Sequence, residues 1–145
     1  MRFLFAFAMG LCLIACQSSG NQNAAEESNK VECETVKTYE DGTPWMEHCP
    51  TEGGKTYFEY YENGQVRMTG LTTEPDLRAG KWMSYFQDGT PWSEHNYVDG
   101  VKDGAYLVWW PNGVKRIHGQ FEKGQEKGNW IFFDDGGNII KEESF

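Results

Sequence analysis

The sequence predicts an all-β domain over residues 31–145: an elongated antiparallel meander of repeated β-hairpins. Glycines and aromatic residues recur there at a period of about 24 residues, which is typical of a repeat architecture. Each unit also has the same order of parts: an aromatic-rich run, a Gly-bearing turn, a second run, and a polar return segment such as residues 98–103. Stretches with apolar residues at i, i+3, i+4 and i+7 do not occur over a useful length, so we expect essentially no helix.

The first fifteen residues predict a signal peptide that precedes this domain. Arg2 supplies a positive start, and the apolar stretch that follows is too short to span a bilayer as a stable anchor. The stretch ends in LIAC at residues 13–16, which resembles the lipobox of bacterial lipoprotein signal peptides. In that family the signal peptidase cuts before the cysteine, so the resemblance implies that Cys16 becomes a lipidated N-terminus. An ordinary secretory signal with a chance cysteine is the alternative.

Residues 16–30 predict a flexible tether between the lipidated cysteine and the domain. The segment lacks aromatic residues and is too polar to bury the surface that ordering requires. Its reach is roughly 20 Å. The lipoprotein modification supplies several acyl chains, and several chains hold a protein firmly at a membrane. Gln17 stands where an aspartate marks inner-membrane retention in enterobacterial lipoproteins. We therefore expect a lipid-anchored protein of the bacterial cell envelope, at the outer membrane where the cell has one.

Two cysteines in the first hairpin, Cys33 and Cys49, predict a disulfide. In an oxidising compartment they are the pair that remains after Cys16 is lipidated. A three-residue loop formed by residues 40–42 places them opposite each other, whereas a two-residue loop pairs Glu34 with Cys49 instead. We expect the three-residue loop.

The repeat units run from Thr35 to Phe145. Three full units begin at Gly80, Gly104 and Gly128, and a looser unit precedes them; a partial first unit has Thr35 where the later ones have Tyr or Trp. In each unit an Asp-Gly, Asn-Gly or Gly-Gly pair predicts a tight hairpin turn, because these residues tolerate positive φ. The turn glycines are Gly42, Gly64, Gly89, Gly113 and Gly137.

The pattern within these units resembles the MORN repeat in its bacterial variant form. Its residues are Gly80, Trp82, Tyr85 and Gly89, with Gly104, Tyr106, Trp109 and Gly113 one period later and Gly128, Trp130, Phe133 and Gly137 after that. The resemblance extends over nearly all of residues 35–145, although the first two units depart from the pattern. It implies a non-catalytic scaffold or interaction surface, and it supplies no catalytic residues.

One column of residues alternates between tryptophan and arginine. It lies three positions after each turn glycine and consists of Trp45, Arg67, Trp92, Arg116 and Ile140. We predict that the first four form a binding surface in which cation–π contacts link the side chains into a ladder. Equivalent strands lie roughly 9–10 Å apart, so such contacts require both side chains to lean across the strand between them. A solvated face with chance alternation is the alternative.

Charge and motif content argue against several functions. The net charge of −9 disfavours nucleic acid and anionic lipid head groups as partners. His48 and His95 each follow a glutamate, but neighbours in a strand point to opposite faces, so we expect no acid–base pair. Ligand spacing for a metal is missing as well. We therefore expect no enzyme, no metal and no cofactor.

These observations predict a non-enzymatic envelope protein whose sheet is a protein-interaction or scaffolding surface, with another envelope protein as its partner. Two alternatives stay open. A module that binds glycan or peptidoglycan would stack sugars on Trp45 and Trp92, and an immunity or antitoxin-like protein would cover a toxin with its acidic, aromatic face. The two edge strands of the meander also invite pairing between two copies of the chain.

Overall fold

The computed structural model describes residues 32–145, which form one ten-stranded antiparallel sheet. Each strand pairs with the next strand in the chain, so the predicted all-β meander is confirmed. The signal peptide, Cys16 and the tether lie outside the described residues. The strands are β1 Glu34–Thr38, β2 Pro44–Thr51, β3 Gly54–Tyr60, β4 Val66–Thr73, β5 Leu77–Tyr85, β6 Pro91–Val98, β7 Val101–Trp109, β8 Lys115–Glu122, β9 Gln125–Phe133 and β10 Ile139–Ser144.

All five hairpins close with the same three-residue loop. In the first, the Tyr39 amide donates to the Thr43 carbonyl at 2.9 Å, and the Gly42 amide donates to the Tyr39 carbonyl at 3.0 Å. Both bonds recur in the other four hairpins, and the five turn glycines have φ between +79° and +86°. A type I turn that ends in a left-handed glycine has this pattern. The three-residue loop predicted for the first hairpin is therefore confirmed.

The first hairpin is joined by a disulfide between Cys33 and Cys49, whose Cα atoms lie 4.1 Å apart. Their alignment continues the register in which Glu34 lies opposite His48. Beyond Thr35 the register shifts, because Val36 has no partner on β2. Glu34 therefore occupies the row that holds aromatic residues in later units, and the expectation that Thr35 does so is wrong.

Short turns connect one hairpin to the next. Asp99-Gly100 joins β6 to β7 with φ of 49° and 80°, and Lys123-Gly124 joins β8 to β9 with φ of 49° and 84°. Positive φ at both central residues is the mark of the type I′ turn, whose twist matches that of the flanking strands. Because two residues suffice, Val101 already belongs to β7, and the turn is shorter than the polar segment 98–103 suggested.

One face of the sheet carries the buried side chains, and we call it the aromatic face. Cross-strand pairing places His95 between Trp82 and Tyr106 on this face. Aromatic rings follow one another in contact from His48 to Phe145, with centroids 4.8–6.3 Å apart. The buried hydrophobic residues of the described chain all belong to this face: Trp82, Tyr97, Val108 and Trp130.

Side-chain size alternates between successive hairpins along the aromatic face. Trp82 lies opposite Gly70, where a Cβ atom would meet the indole at 2.3 Å, and Trp130 covers Gly119, where the corresponding distance is 2.4 Å. At the other two junctions between hairpins, histidine replaces the glycine and tyrosine replaces the tryptophan, in the pairs His48–Tyr57 and His95–Tyr106. Each combination fills the space between its two strands.

Side-chain hydrogen bonds near the turns also join three of the hairpins to the next one along the chain. The aromatic residue that precedes the turn donates to a backbone carbonyl one hairpin further along the chain. The three bonds are Tyr39 Oη to the Tyr60 carbonyl at 2.7 Å, Tyr61 Oη to the Tyr85 carbonyl at 2.8 Å, and Trp110 Nε1 to the Phe133 carbonyl at 3.1 Å. Phe86 holds the same position in the third hairpin, but its side chain has no donor.

Candidate functional site

The column predicted as a binding surface is a column of β-bulges. In the third hairpin, Ser84 pairs with Ser93 and Tyr85 pairs with Pro91, which leaves Trp92 without a partner on β5. The same shift recurs in every hairpin, so the five unpaired residues are Trp45, Arg67, Trp92, Arg116 and Ile140. A bulge re-aims the side chain of its extra residue, and this explains why the column differs from the regular strand positions. We call it the bulge column.

The prediction that this column forms a ladder of Trp–Arg contacts is wrong. Arg116 lies 4.4 Å from the Trp110 ring centroid, and Trp92 packs against Phe86 with centroids 6.2 Å apart. Among the described residues, no cation–π contact joins Trp92 to either arginine of the column. Residues of the same hairpin are nearer than the next bulge, which lies two strand spacings away, so each side chain turns to a partner in its own hairpin.

Trp45 and Arg67 also contact residues of their own hairpins. Lys37 Nζ lies 4.7 Å from the Trp45 ring centroid, and Arg67 forms an ion pair with the buried Glu59. Glu59 further accepts a hydrogen bond from the Tyr57 hydroxyl at 2.9 Å. Burial, together with this bond, raises the pKa of Tyr57 to about 12. The Arg67 charge is therefore neutralised within the protein, and the predicted surface does not act as one unit.

Trp92 and Arg116 instead line a groove of about 400 Å³ on the aromatic face, which we call the serine groove. Ser84 and Ser93 pair across β5 and β6, and the neighbours of this row are Met68 on β4 and Val108 on β7. The two small side chains lower the surface between these larger ones. The remaining lining residues are Arg78, Trp82, His95, Tyr97, Lys102, Tyr106 and Ile117.

Two cations at one end of the serine groove lie over the aromatic rings. The Arg78 guanidinium is 4.2 Å from the Trp82 ring centroid and donates to the Tyr97 hydroxyl at 3.1 Å. Lys102 Nζ lies 5.6 Å from the Tyr106 ring centroid. A cation over an aromatic face is attracted by the ring quadrupole, so these side chains have defined positions without a carboxylate partner.

His95 lies on β6, between the two strands that carry these cations, and its imidazole is held neutral. Burial lowers its pKa to about 4, and the charges of Lys102 and Arg78 act in the same direction. Its Nδ1 atom is buried and has no hydrogen-bond partner. The neighbouring Glu94 points to the other face, where it pairs with Lys81 at 3.0 Å. As expected from strand geometry, the two side chains do not form an acid–base pair.

Sequence reasoning missed Arg78, Lys102 and the two serines of the groove. A signal was present for the cations, because Arg78 and Lys102 are one repeat period apart. No comparable signal marks Ser84 and Ser93, because a serine in a strand is ordinary until its larger neighbours across the sheet are known. Two other residues of the groove, Trp92 and Arg116, belong to the bulge column and were therefore identified from the sequence.

The described chain has neither a cluster of metal-ligating side chains nor a helix that could span a membrane. Within residues 32–145, no group of three or more His, Cys, Asp or Glu side chains could hold a metal ion. Nor does this part of the protein contain a helix with the length and apolarity that crossing a bilayer requires.

Comparison with known proteins supports the repeat. The family model described as MORN repeat variant matches residues 55–72 and 78–99, which cover most of β3–β4 and β5–β6. No curated protein matches the chain, and no solved structure does. The two matched stretches meet at the serine groove, because Met68 belongs to the first and Arg78, Ser84, Trp92 and Ser93 belong to the second. Repeats of this kind indicate a binding or scaffolding module.

Proposed function

We propose that this chain is a non-enzymatic, lipid-anchored protein of the bacterial cell envelope, attached at the outer membrane where there is one, and that it binds another envelope protein. The contact surface is the aromatic face around the serine groove. The observation that carries this proposal is a groove on an open sheet that combines an exposed tryptophan with unpaired cations. Trp92 is 44% exposed, whereas Trp82 and Trp130 on the same face are only 3% and 4% exposed. Aromatic and arginine side chains are the residues that most often dominate binding at protein interfaces.

A photo-crosslinking experiment in intact cells tests the partner. A photoreactive phenylalanine derivative replaces Trp92 in one strain and His118 in another, and crosslinked products are identified by mass spectrometry. His118 is the matched control, because it is exposed and its strand partner Leu107 belongs to the opposite face. We expect one envelope protein to be captured from position 92 and not from position 118. Equal capture from both positions, or none from position 92, would refute the proposed surface.

Attachment by lipid has a separate test. The proposal assigns the acyl chains to Cys16, so a Cys16→Ser variant should not incorporate a metabolic fatty-acid label and should leave the membrane fraction. Lipid labelling that persists in the variant would refute the anchor and leave the binding surface unaffected.

Glycan binding is a second candidate, and the exposure of Trp92 favours it. An exposed aromatic ring at a groove can stack against a sugar face. A pull-down with purified peptidoglycan distinguishes the two proposals. If the groove binds glycan, the unchanged protein should be retained on peptidoglycan and the Trp92→Ala variant should not. If the unchanged protein is not retained either, glycan binding is refuted and the protein partner stays as the proposed function.

A further inference from the structure

We propose that the serine groove binds an acidic, extended segment of a partner protein, with carboxylate side chains contacting Arg78, Lys102 and Arg116. This inference rests on the proposed function, since it names the chemistry of the partner at the same surface. Three properties of the groove carry it: its charge, the type of its polar groups, and its length across the sheet.

The charge of the groove is opposite to that of the protein. The chain has a net charge of −9, yet three cations and no carboxylate line the groove. Residues 32–145 contain four ion pairs, Arg67–Glu59, Lys81–Glu94, Lys127–Glu122 and Lys141–Glu143. None of them includes a groove cation. Because acidic side chains outnumber basic ones in this chain, a cluster of three unpaired cations marks a local site of positive potential that suits an anionic ligand.

The polar groups of the groove also favour a carboxylate over a neutral sugar. The three charged side chains of the groove only donate hydrogen bonds, and no carboxylate or amide side chain lines it; its other polar groups are the hydroxyls of two serines and two tyrosines and the imidazole of His95, which can donate or accept. A carboxylate only accepts and forms its strongest hydrogen bonds with charged donors, whereas a neutral sugar gains nothing comparable from the three positive charges. The lining is therefore suited to anionic oxygen atoms.

The spread of the cations indicates an extended chain rather than a small acid. Arg78 lies on β5, Lys102 on β7 and Arg116 on β8, so they span three strand spacings, or about 14 Å measured across the sheet, and Arg116 is also displaced from the other two along the strands. One carboxylate cannot reach all three. In an extended peptide, side chains on the same side are about 6.8 Å apart, so acidic residues at i, i+2 and i+4 cover this span. The small Ser84 and Ser93 between the cations leave room for the backbone.

Titration calorimetry with the purified full-length protein tests this proposal. The probe is an acetylated, amidated pentapeptide that alternates glutamate and alanine, and the matched control peptide has glutamine in place of glutamate. We expect the acidic peptide to bind at least tenfold more tightly and to weaken as salt is raised, because exposed charges are screened. Equal binding of the two peptides would overturn the proposal. So would tighter binding of a trimer of an acidic sugar such as galacturonate.

Variants of the protein separate the groove from overall charge. Arg116→Gln should weaken binding of the acidic peptide by about tenfold, which is about 1.4 kcal/mol. Lys115→Gln is the matched control: it removes the same charge one residue away, at an exposed position that does not line the groove, and should change the affinity less than twofold. Ser84→Met fills the groove with the side chain found at Met68 and should abolish binding. Equal effects of the Arg116 and Lys115 changes would show non-specific attraction and overturn the site.

The two proposals fail in distinguishable ways. Capture of a partner from position 92 together with no preference for the acidic peptide would refute the acidic segment and leave the binding function in place. Preference for the acidic peptide with no partner captured in cells would refute the proposed function and leave the chemistry of the groove.

Discussion

Replacing Gly119 by alanine tests whether the alternation of side-chain size along the aromatic face specifies the packing. The added Cβ would lie 2.4 Å from Cδ2 of Trp130 and 2.5 Å from its Cε2. Non-bonded carbon atoms approach to about 3.5–4.0 Å, so the indole must move by about 1 Å or more. Trp130 is 4% exposed, and its ring centroid lies 5.2 Å from those of both Tyr106 and Phe121, which block such a movement.

The expected cost follows from this geometry. Overpacking of a filled site typically costs about 1–3 kcal/mol. Replacing glycine by alanine at a compatible position works in the opposite direction, because it reduces the freedom of the unfolded chain by about 0.4–1 kcal/mol. Gly119 does not have positive φ, so no backbone strain enters. We expect Gly119→Ala to lower the free energy of unfolding by about 1–3 kcal/mol.

Urea denaturation followed by tryptophan fluorescence measures this free energy. Gly136→Ala is the matched control, because Gly136 also lacks positive φ and its added Cβ would meet only the side chains of Asn138 and Asp134, at 3.3 and 3.4 Å. We expect the control to change stability by no more than about 0.5 kcal/mol. Equal stability of the two variants would refute the inference that the indole of Trp130 requires a glycine beneath it.

A swap of the pair tests the same point from the other side. Gly119→His alone should be more destabilising than Gly119→Ala, because the added side chain is larger. Combining it with Trp130→Tyr recreates the pair that His95 on β6 and Tyr106 on β7 form at the preceding junction between hairpins. The double variant should be more stable than Gly119→His by at least 1 kcal/mol, a coupling typical of residues in contact. Additive effects would show that the two positions do not specify each other.

Three further predictions concern stability. Phe86→Tyr supplies the missing donor to the Trp109 carbonyl and should raise the free energy of unfolding by about 0.5–1.5 kcal/mol in urea denaturation. The pKa of His95 is lowered to about 4, against 6.5 in the unfolded chain, so the unfolded state binds more protons between these two pH values. The free energy of unfolding should therefore fall as pH falls through this window. His95→Gln should reduce that fall, as measured by the free energy of unfolding at a series of pH values. Replacing both Cys33 and Cys49 by serine removes a crosslink between residues 16 positions apart, and the chain-entropy model predicts a loss of about 3 kcal/mol in the free energy of unfolding. Because β1 is wholly exposed, hydrogen exchange should show lost protection in β1 while the later strands keep theirs.

Each of these predictions has its own control. Tyr61→Phe removes the equivalent hydrogen bond of the second hairpin and should lower the free energy of unfolding by about as much as Phe86→Tyr raises it. An unchanged free energy of unfolding in Phe86→Tyr would contradict the hydrogen-bond account. His118→Gln changes an exposed histidine on the opposite face, and a pH profile altered as much as by His95→Gln would contradict the role of burial. Lost protection throughout the sheet after disulfide removal would show that β1 is required for the whole fold.

The fold could be predicted from the sequence because its determinants are local and repeated. The Gly-bearing turns require positive φ, and five such turns at regular spacing define a meander before any tertiary contact is considered. The disulfide pairing was predicted from the three-residue loop, and it holds because the unpaired Val36 on β1 offsets the unpaired Trp45 on β2. Where the spacing is interrupted, as at Val36, the prediction failed by one residue, because a bulge cannot be read from periodicity alone.

The contacts of the site could be predicted only in part. The period alone identified the five residues of the column, but it did not show that they are bulged or which neighbours their side chains contact. Arg67 and Arg116 hold equivalent positions, yet Glu59 neutralises the first while the second lies over Trp110. The difference arises on the preceding strand of each hairpin, where Glu59 on β3 corresponds to Val108 on β7. The alternation of tryptophan and arginine in the column contains no information about this position.

The segment DGTPW occurs twice, and its two copies differ in what surrounds them. In both, proline begins a strand beside a bulge, a position that tolerates its missing amide donor, and tryptophan is the bulged residue. Beside Trp45 the adjoining row pairs Lys37 with Met46, whereas beside Trp92 it pairs two serines. The groove therefore depends on the serines rather than on the motif. DGTPW forms the same turn and bulge in both hairpins, and the pair of serines in the adjoining row is what places Trp92 beside the serine groove.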